Sequence, residues 1–215
     1  MKIIIPARAG SKGLPGKNKT LFRYTANIIP DSYKNLVIVL TDDPEIHKMS
    51  SEYGFESVER LEETATDDAS MKFTLNWAIN YLIFKGKLTE GEDILLLYLT
   101  YPERTWSNIE SAINFYNQKS ASSLLCRKEI DFSPFLILKE EENDYGSQLF
   151  WHDLYRRQDY PKCFELSHFI CIVNSSAINS LNNNLYNNQT VFFPIDNPVD
   201  VDTKKDLNKF YELSK

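Results

Sequence analysis

Long apolar runs, paired cysteines and an excess of cations are all missing from this sequence. No stretch of its 215 residues approaches the roughly eighteen consecutive apolar residues that a membrane-spanning helix needs. The opening Met1-Lys2-Ile3-Ile4-Ile5-Pro6 is too short an apolar run for a signal peptide, so a cytoplasmic protein beginning near Met1 is expected. The three cysteines, Cys126, Cys163 and Cys171, are an odd number without metal-ligand spacing. They argue against a disulfide framework and against zinc, and read as buried thiols. A net charge of -6 excludes a protein that coats nucleic acid, because neutralising phosphates needs a basic surface. Any anionic ligand must therefore meet a local positive pocket. Glycine is scarce as well: there are seven, and Gly10, Gly13 and Gly16 crowd into one short stretch.

What is present is the make-up of an ordinary folded domain, 42% hydrophobic and 25% charged. Residues 2–6 form a continuous β-branched run that predicts a buried strand, followed by a loop. Residues 35–40 repeat the pattern, and Asp43 with Pro44 marks a helix start, the helix running to about Tyr53. A brief strand at 56–59, a helix over about 68–84 and a strand at 94–98 come next. Ser107-Asn108-Ile109-Glu110 has the spacing of a capping box ahead of another helix. Alternating strands and helices over roughly the first 120 residues predict an α/β fold, a doubly wound, mainly parallel sheet with the ligand at its carboxyl edge. Shorter apolar stretches at 123–127, 134–139, 169–174 and 191–195 predict antiparallel strands in the second half. Residues 182–188 read as a solvated loop. The economical organisation is a single domain over 1–215 with an inserted antiparallel lobe at about 128–170. A final helix starts at Thr203-Lys204-Lys205-Asp206, a variant capping box.

Two patterns carry chemistry. After the first strand, Pro6-Ala7-Arg8-Ala9-Gly10-Ser11-Lys12-Gly13-Leu14-Pro15-Gly16-Lys17-Asn18 combines glycines, which let backbone amides approach an anion, with Arg8, Lys12 and Lys17. That suits a triphosphate. Neither the P-loop nor the Rossmann spacing is present, and a flexible basic surface loop is the alternative. Near the other end, Asp200 and Asp202 alternate on an extended segment, so both carboxylates leave one side of the backbone and can share a hard cation. Magnesium is the expected ion, since it takes one or two carboxylates plus phosphate oxygens and water. Exposed aspartates in a turn before a helix are the alternative.

The stretch Ile5-Pro6-Ala7-Arg8-Ala9-Gly10-Ser11-Lys12-Gly13-Leu14-Pro15-Gly16-Lys17-Asn18 resembles the nucleotide-binding signature of the acylneuraminate cytidylyltransferases. Further segments follow in the same order: Thr41-Asp42-Asp43-Pro44, Arg60, Asp67-Asp68-Ala69-Ser70, Thr100-Tyr101-Pro102-Glu103-Arg104-Thr105, Arg157-Gln158-Asp159-Tyr160-Pro161 and Asp200-Val201-Asp202-Thr203. The resemblance implies an enzyme that moves CMP from CTP to a small acidic, sugar-like acceptor and releases pyrophosphate, as in surface glycan and polysaccharide biosynthesis. It implies that Arg8, Ser11, Lys12, Lys17 and Asn18 hold the phosphates and part of the nucleotide, and that Ala7, Ala9 and Gly10 bind the nucleotide with them. Arg8 or Lys17 would stabilise charge at the α-phosphate. Arg60, Asp67 and Ala69 would face the base and ribose, with a surface ion pair from Arg60 to Glu62 or Glu63 as the alternative. Met71, Tyr98, Arg104, Arg157 and Gln158 would face the acceptor, and Asp200 and Asp202 the Mg2+. A homodimer is implied too, the lobe at about 128–170 serving dimerisation or acceptor binding.

The departures from that pattern gather on the acceptor side. Tyr98 stands where the family has a glutamine, Met71 replaces a small polar residue, and Ser167-His168 stands in place of Asn-Gly. Residues 19–34 are abbreviated. A pocket whose polar groups have changed rejects the old ligand, so an acceptor other than N-acetylneuraminate is expected. Two alternatives remain: a genuine CMP-sialic or ulosonic acid synthetase, and a degenerate nucleotide-binding or assembly subunit. None of His47, His152 and His168 has a visible catalytic partner in the sequence, and none is assigned a role.

Overall fold

The computed structural model describes residues 1–10, 13–66 and 68–213. In chain order its elements are β1 (Lys2–Pro6), α1 (Lys17–Ile28), β2 (Val37–Thr41), α2 (Pro44–Glu52), β3 (Glu56–Glu59), α3 (Glu62–Ala65), α4 (Met71–Phe84), β4 (Asp93–Leu96), α5 (Trp106–Asn117), β5 (Ser123–Glu129), β6 (Leu138–Glu140), β7 (Gly146–Gln148), β8 (Phe164–Asn174), β9 (Thr190–Ile195) and α6 (Lys204–Leu213). Seven strands make one sheet in the order β3-β2-β1-β4-β8-β5-β9, and β6 pairs with β7 in a separate antiparallel hairpin. Strand β8 runs antiparallel to both its neighbours, while β5 and β9 are parallel to each other. The second half is therefore less antiparallel than its sequence suggests. Only β8 and the small hairpin fit that expectation.

The sheet is covered on both faces, and its period of two sorts the core. Ile3, Ile5, Val37, Val39 and Leu95 pack beneath α1, α2, α5 and α6, against Phe22, Ile46, Ile109 and Phe210. Ile4, Ile38, Leu40, Ile94 and Leu96 face the other way, onto Leu75, Ala78, Ile79 and Leu82 of α4. Cys126 and Cys171 are buried free thiols, and Cys163 is half-buried. Among the described residues no helix is long and apolar enough to cross a membrane.

Three local expectations need correction. The stretch after β1 is not only a loop: α1 fills 12 residues of it, with Leu21, Phe22, Thr25 and Ala26 on its buried face. The stretch at 134–139 is a 3-10 turn leading into the short β6. Helix α5 begins two residues earlier than the sequence suggests, because Thr105 and Asn108 form the reciprocal capping box. The Asp43 cap holds, its Oδ1 accepting the Glu45 amide at 2.9 Å. So does the Thr203–Asp206 box before α6, with the Thr203 amide 2.8 Å from Asp206 Oδ2.

Strand order reverses between β1 and β4, with β2 on the outer side of β1. Ligands of such sheets bind in the crevice beyond the carboxyl ends at that point.

Candidate active site

A continuous cleft opens at that position. One half, of about 230 Å³, is lined by Arg8, Gly10, Lys17, Asn18, Arg60, Thr66 and Ala69. The other, of about 440 Å³, is lined by Ser70, Tyr101, His168, Asn183, Asn184, Asp200 and Asp202. Met71, Tyr98 and Thr100 border both halves and join them.

The two ends of the chain meet here. Lys17 Nζ lies 2.6 Å from Asp202 Oδ1, and a Cβ on Gly13 would come within 2.5 Å of the Asp202 carbonyl oxygen. Only glycine permits that approach. The aspartate segment is pinned from below: the Val201 amide donates to Thr100 O at 2.8 Å, and the Val199 amide to Glu103 Oε2 at 2.8 Å. Val199 and Val201 point into the core, so the alternating Asp200 and Asp202 face outward into the cleft.

On the loop after β1, Asn18 Nδ2 donates to Arg8 O at 2.8 Å and the Ala9 amide to Asp42 Oδ1 at 2.7 Å. Arg60 is only 6% exposed. Its guanidinium donates to the Thr64 carbonyl and to Thr74 Oγ1, not to Glu62 or Glu63. Burial lowers its pKa, with Asp42 opposing and Arg8 adding to the effect. Two arginines that repel each other, with Lys17 beside them, make this half the positive pocket that a protein of net charge -6 must reserve for an anion.

Asp200 accepts a hydrogen bond from the Tyr101 hydroxyl at 2.8 Å. Its carboxyl is raised above the ordinary aspartate value, first by loss of hydration in the cleft and also by Asp202, against the bonds from Tyr101 and Thr100. The two carboxylates are thus close enough to repel, the situation a shared divalent cation relieves. Two carboxylates suit magnesium, which completes its six oxygens from phosphates and water. Among the described residues no group of three or more His, Cys, Asp or Glu gathers as a metal cage.

The cleft brings together Arg8, Gly10, Lys17, Asn18, Arg60, Ala69, Met71, Tyr98, Asp200 and Asp202. Ser11, Lys12 and Asp67 lie outside the described residues. Ala7 does not line the cleft. It is fully buried, its amide donates to Leu40 O at 2.8 Å, and its carbonyl accepts from Thr41 Oγ1 at 2.6 Å. Ala9 is exposed, with its amide occupied by Asp42. Arg104 is no acceptor contact. At 1% exposure, its two terminal nitrogens donate to Phe169 O at 2.6 Å, Tyr98 O at 2.9 Å and Thr25 Oγ1 at 3.3 Å, and burial lowers its pKa to about 10. It ties β8, the end of β4 and α1 together. Arg157 and Gln158 sit in an exposed 3-10 turn, away from the residues that line the cleft. Sequence reading gave no site role to Thr100, Tyr101, His168, Asn183 or Asn184. Thr100, Tyr101 and His168 lie in segments that the resemblance singles out, whereas Asn183 and Asn184 fall in the stretch read as a solvated loop and have no signal but their position after β8.

The fold and the cleft together define an α/β sheet domain with a ligand-sized crevice beyond the carboxyl ends of its parallel strands. A solved structure titled CMP:2-keto-3-deoxy-manno-octonic acid synthetase complexed with CTP superposes with a TM-score of 0.67, at 15% identity, over 99% of this chain and 97% of that one. A 4-diphosphocytidyl-2C-methyl-D-erythritol synthase superposes with a TM-score of 0.69, at 11% identity, over 100% of this chain and 98% of its own. Residues 2–76 match the family model described as cytidylyltransferase. The N-acylneuraminate cytidylyltransferase of Streptococcus agalactiae serotype V is 29% identical over 187 residues, 81% of this chain. The chain spans 43% of that relative's length.

Proposed function

We propose that this chain transfers CMP from CTP to a small acidic, sugar-like acceptor, in the cytoplasm and in service of surface glycan synthesis. The observation that carries the reading is the meeting of Lys17 with Asp202 at 2.6 Å, which puts the phosphate loop and the paired carboxylates in one cleft. The family match over residues 2–76 supports cytidine as the base.

In this reading the triphosphate lies in the half lined by Arg8, Gly10, Lys17 and Asn18, and Arg60 closes the pocket beside it. Lys17 and Arg8 place positive charge where charge builds during transfer, the main demand of nucleotidyl transfer. An acceptor hydroxyl approaches from the half bordered by Tyr98, Thr100 and Asp200. Its oxygen bonds to the α-phosphorus and gives up its proton to water, the bond from that phosphorus to the bridging oxygen breaks, and pyrophosphate leaves with that oxygen. Asp200 and Asp202 would hold Mg2+, which when bound neutralises phosphate charge. Tyr101 fixes the orientation of Asp200.

A second copy of the chain completes this proposal. The segment around the β6–β7 hairpin exposes Phe132, Leu136, Leu138, Tyr145, Trp151 at 89% and Tyr155 at 86%, an apolar surface that a homodimer would cover. Arg157 and Gln158 lie on the same segment, so a partner's lobe is the route by which they reach an acceptor.

The departures at Tyr98, Met71 and His168 favour an acceptor other than N-acetylneuraminate. The name of the streptococcal relative favours the second reading, a genuine CMP-sialic or ulosonic acid synthetase. Pyrophosphate release from CTP and magnesium across a panel of sugar acids decides between them. Binding of CTP without turnover of any acceptor would favour a nucleotide-binding subunit instead.

A further inference from the structure

The acceptor half of the cleft differs in chemistry from the nucleotide half. No lysine or arginine among the described residues lines it, and Lys17 reaches its edge only through Asp202. Apart from the two aspartates, its polar atoms belong to hydroxyls, amides and one imidazole. That imidazole, His168, reaches the cleft because β8 runs antiparallel: Cys171 pairs with Leu96 at the end of β4, so His168 lies beyond the carboxyl edge beside Tyr98. The two rings meet edge to face, centroids 5.5 Å apart.

The tautomer of His168 follows from its partner. Nε2 lies 3.2 Å from the Asn184 carbonyl oxygen, which only accepts, so Nε2 carries the proton. In the neutral ring Nδ1 is then a bare acceptor. Burial lowers the pKa of His168 and keeps the ring neutral at pH 7, with the Asn184 bond and Asp200 opposing. The Asn184 carbonyl is itself held in place. Asn182 Oδ1 accepts from the amides of Asn184 at 2.9 Å and Tyr186 at 3.2 Å, and Leu185, fully buried, anchors the loop at φ 64. A branched residue in the left-handed region costs about 1–3 kcal/mol and persists only where its surroundings enforce it. Here its burial fixes Asn183 and Asn184 at the cleft.

We propose that His168 is an acceptor-binding residue whose Nδ1 takes a hydrogen bond from a hydroxyl of the acceptor, so that this half of the cleft reads the polyhydroxylated body of a sugar rather than its acid group. The inference rests on the reading of the cleft as a site for CTP and a sugar-like acceptor. It adds which end of the acceptor this chain recognises.

The test is steady-state pyrophosphate release by the full chain with CTP and magnesium. The acceptors are N-acetylneuraminate, 2-keto-3-deoxy-manno-octonic acid, glucose 1-phosphate and ribitol 5-phosphate, with glycolate, whose single hydroxyl can accept CMP but leaves none for His168, as control. Wild type, His168→Gln and His168→Phe are compared. Glutamine can both donate to Asn184 and accept from a hydroxyl, whereas phenylalanine keeps only the ring contact with Tyr98. The expected result is use of at least one polyhydroxylated acceptor and not of glycolate. His168→Phe should raise the acceptor KM on the order of tenfold, the cost of one unmade hydrogen bond, with the KM for CTP and kcat little changed. His168→Gln should restore most of that loss. The proposal is overturned by an unchanged acceptor KM in His168→Phe, by a glutamine variant no better than the phenylalanine one, by turnover of glycolate as good as that of the best sugar, or by refusal of every polyhydroxylated probe while CTP still raises the melting temperature. Failure of CTP to raise that temperature overturns the underlying reading, and this inference with it.

Discussion

Lys17 Nζ and Asp202 Oδ1 lie 2.6 Å apart although 185 positions separate them in the chain. The lysine is the less exposed partner, at 13% against 65% for the aspartate. A cation and a carboxylate from opposite ends of the sequence thus share the border of one cleft, and a nucleotide with its metal would engage both. Replacing Lys17 by Met, which keeps the stem and removes the charge, is expected to lower kcat by about 10²–10³, the range for losing one preorganised charge-stabilising donor. Single-turnover CMP transfer checks this. A loss under threefold would remove Lys17 from the chemistry.

Gly13 sets how closely the loop approaches that carboxylate. A Cβ there would sit 2.5 Å from the Asp202 carbonyl, and the obstacle is backbone, so the loop or the aspartate segment must shift. Gly13→Ala is expected to reduce kcat/KM for CTP at least tenfold with little change in melting temperature, because misplacement near 1 Å can cost on the order of 10²-fold. Kinetics and thermal denaturation on one preparation suffice to check it.

Arg104 acts in the framework and not in the cleft. Its planar fork serves three acceptors from separate elements. Arg104→Lys keeps the charge and cannot span them, so buried carbonyls lose their donors and stability should fall by about 2–3 kcal/mol. Urea unfolding measures this loss. CTP affinity per folded molecule should be unchanged.

His168 gives the fold an acid sensitivity of definite sign. Its pKa is lowered in the folded chain by burial, while the unfolded chain has the ordinary value near ~6.5. The unfolded state therefore binds more protons in the window below that value, and its contribution to stability falls as pH drops through it. The groups facing the ring are Tyr98 from the end of β4, the Asn184 carbonyl from the loop before β9, and Asp200 from the segment before α6. Wild type should lose more stability than His168→Phe between pH 7 and pH 5.5. Parallel urea midpoints across that range would contradict the assignment.

Much of the first half could be read from residues alone, because it rests on local signals. The runs Ile3-Ile4-Ile5 and Val37-Ile38-Val39-Leu40 are apolar on both faces, as strands buried on both sides must be. Asp43 with Pro44 announces α2. Helix α1 escaped because it starts from Gly16 at φ 72, with no side-chain cap and no acidic residue in its first turn. Strand direction is not written in a period of two, so the parallel pairing of β5 with β9 was invisible, although the antiparallel β8 was expected. Ser167-His168 could be placed on the acceptor side by resemblance, but the contacts that make His168 a ligand candidate come from residues distant in the chain, such as Tyr98 and Asn184. Arg104 misled for a related reason: an arginine in a motif suggests a ligand, and only contacts with Thr25 and Phe169, 79 and 65 positions away, show that its donors are used internally.

The most direct measurement is calorimetric titration of CTP into the protein with magnesium and again with EDTA, for wild type and for the Asp200→Asn, Asp202→Asn double variant. CTP should bind wild type markedly tighter with magnesium than with EDTA, and the double variant should lose that difference while keeping the weaker metal-free affinity supplied by Arg8, Lys17 and Arg60. Equal binding with and without magnesium in both proteins, or no binding of CTP at all, would contradict a shared nucleotide and metal cleft.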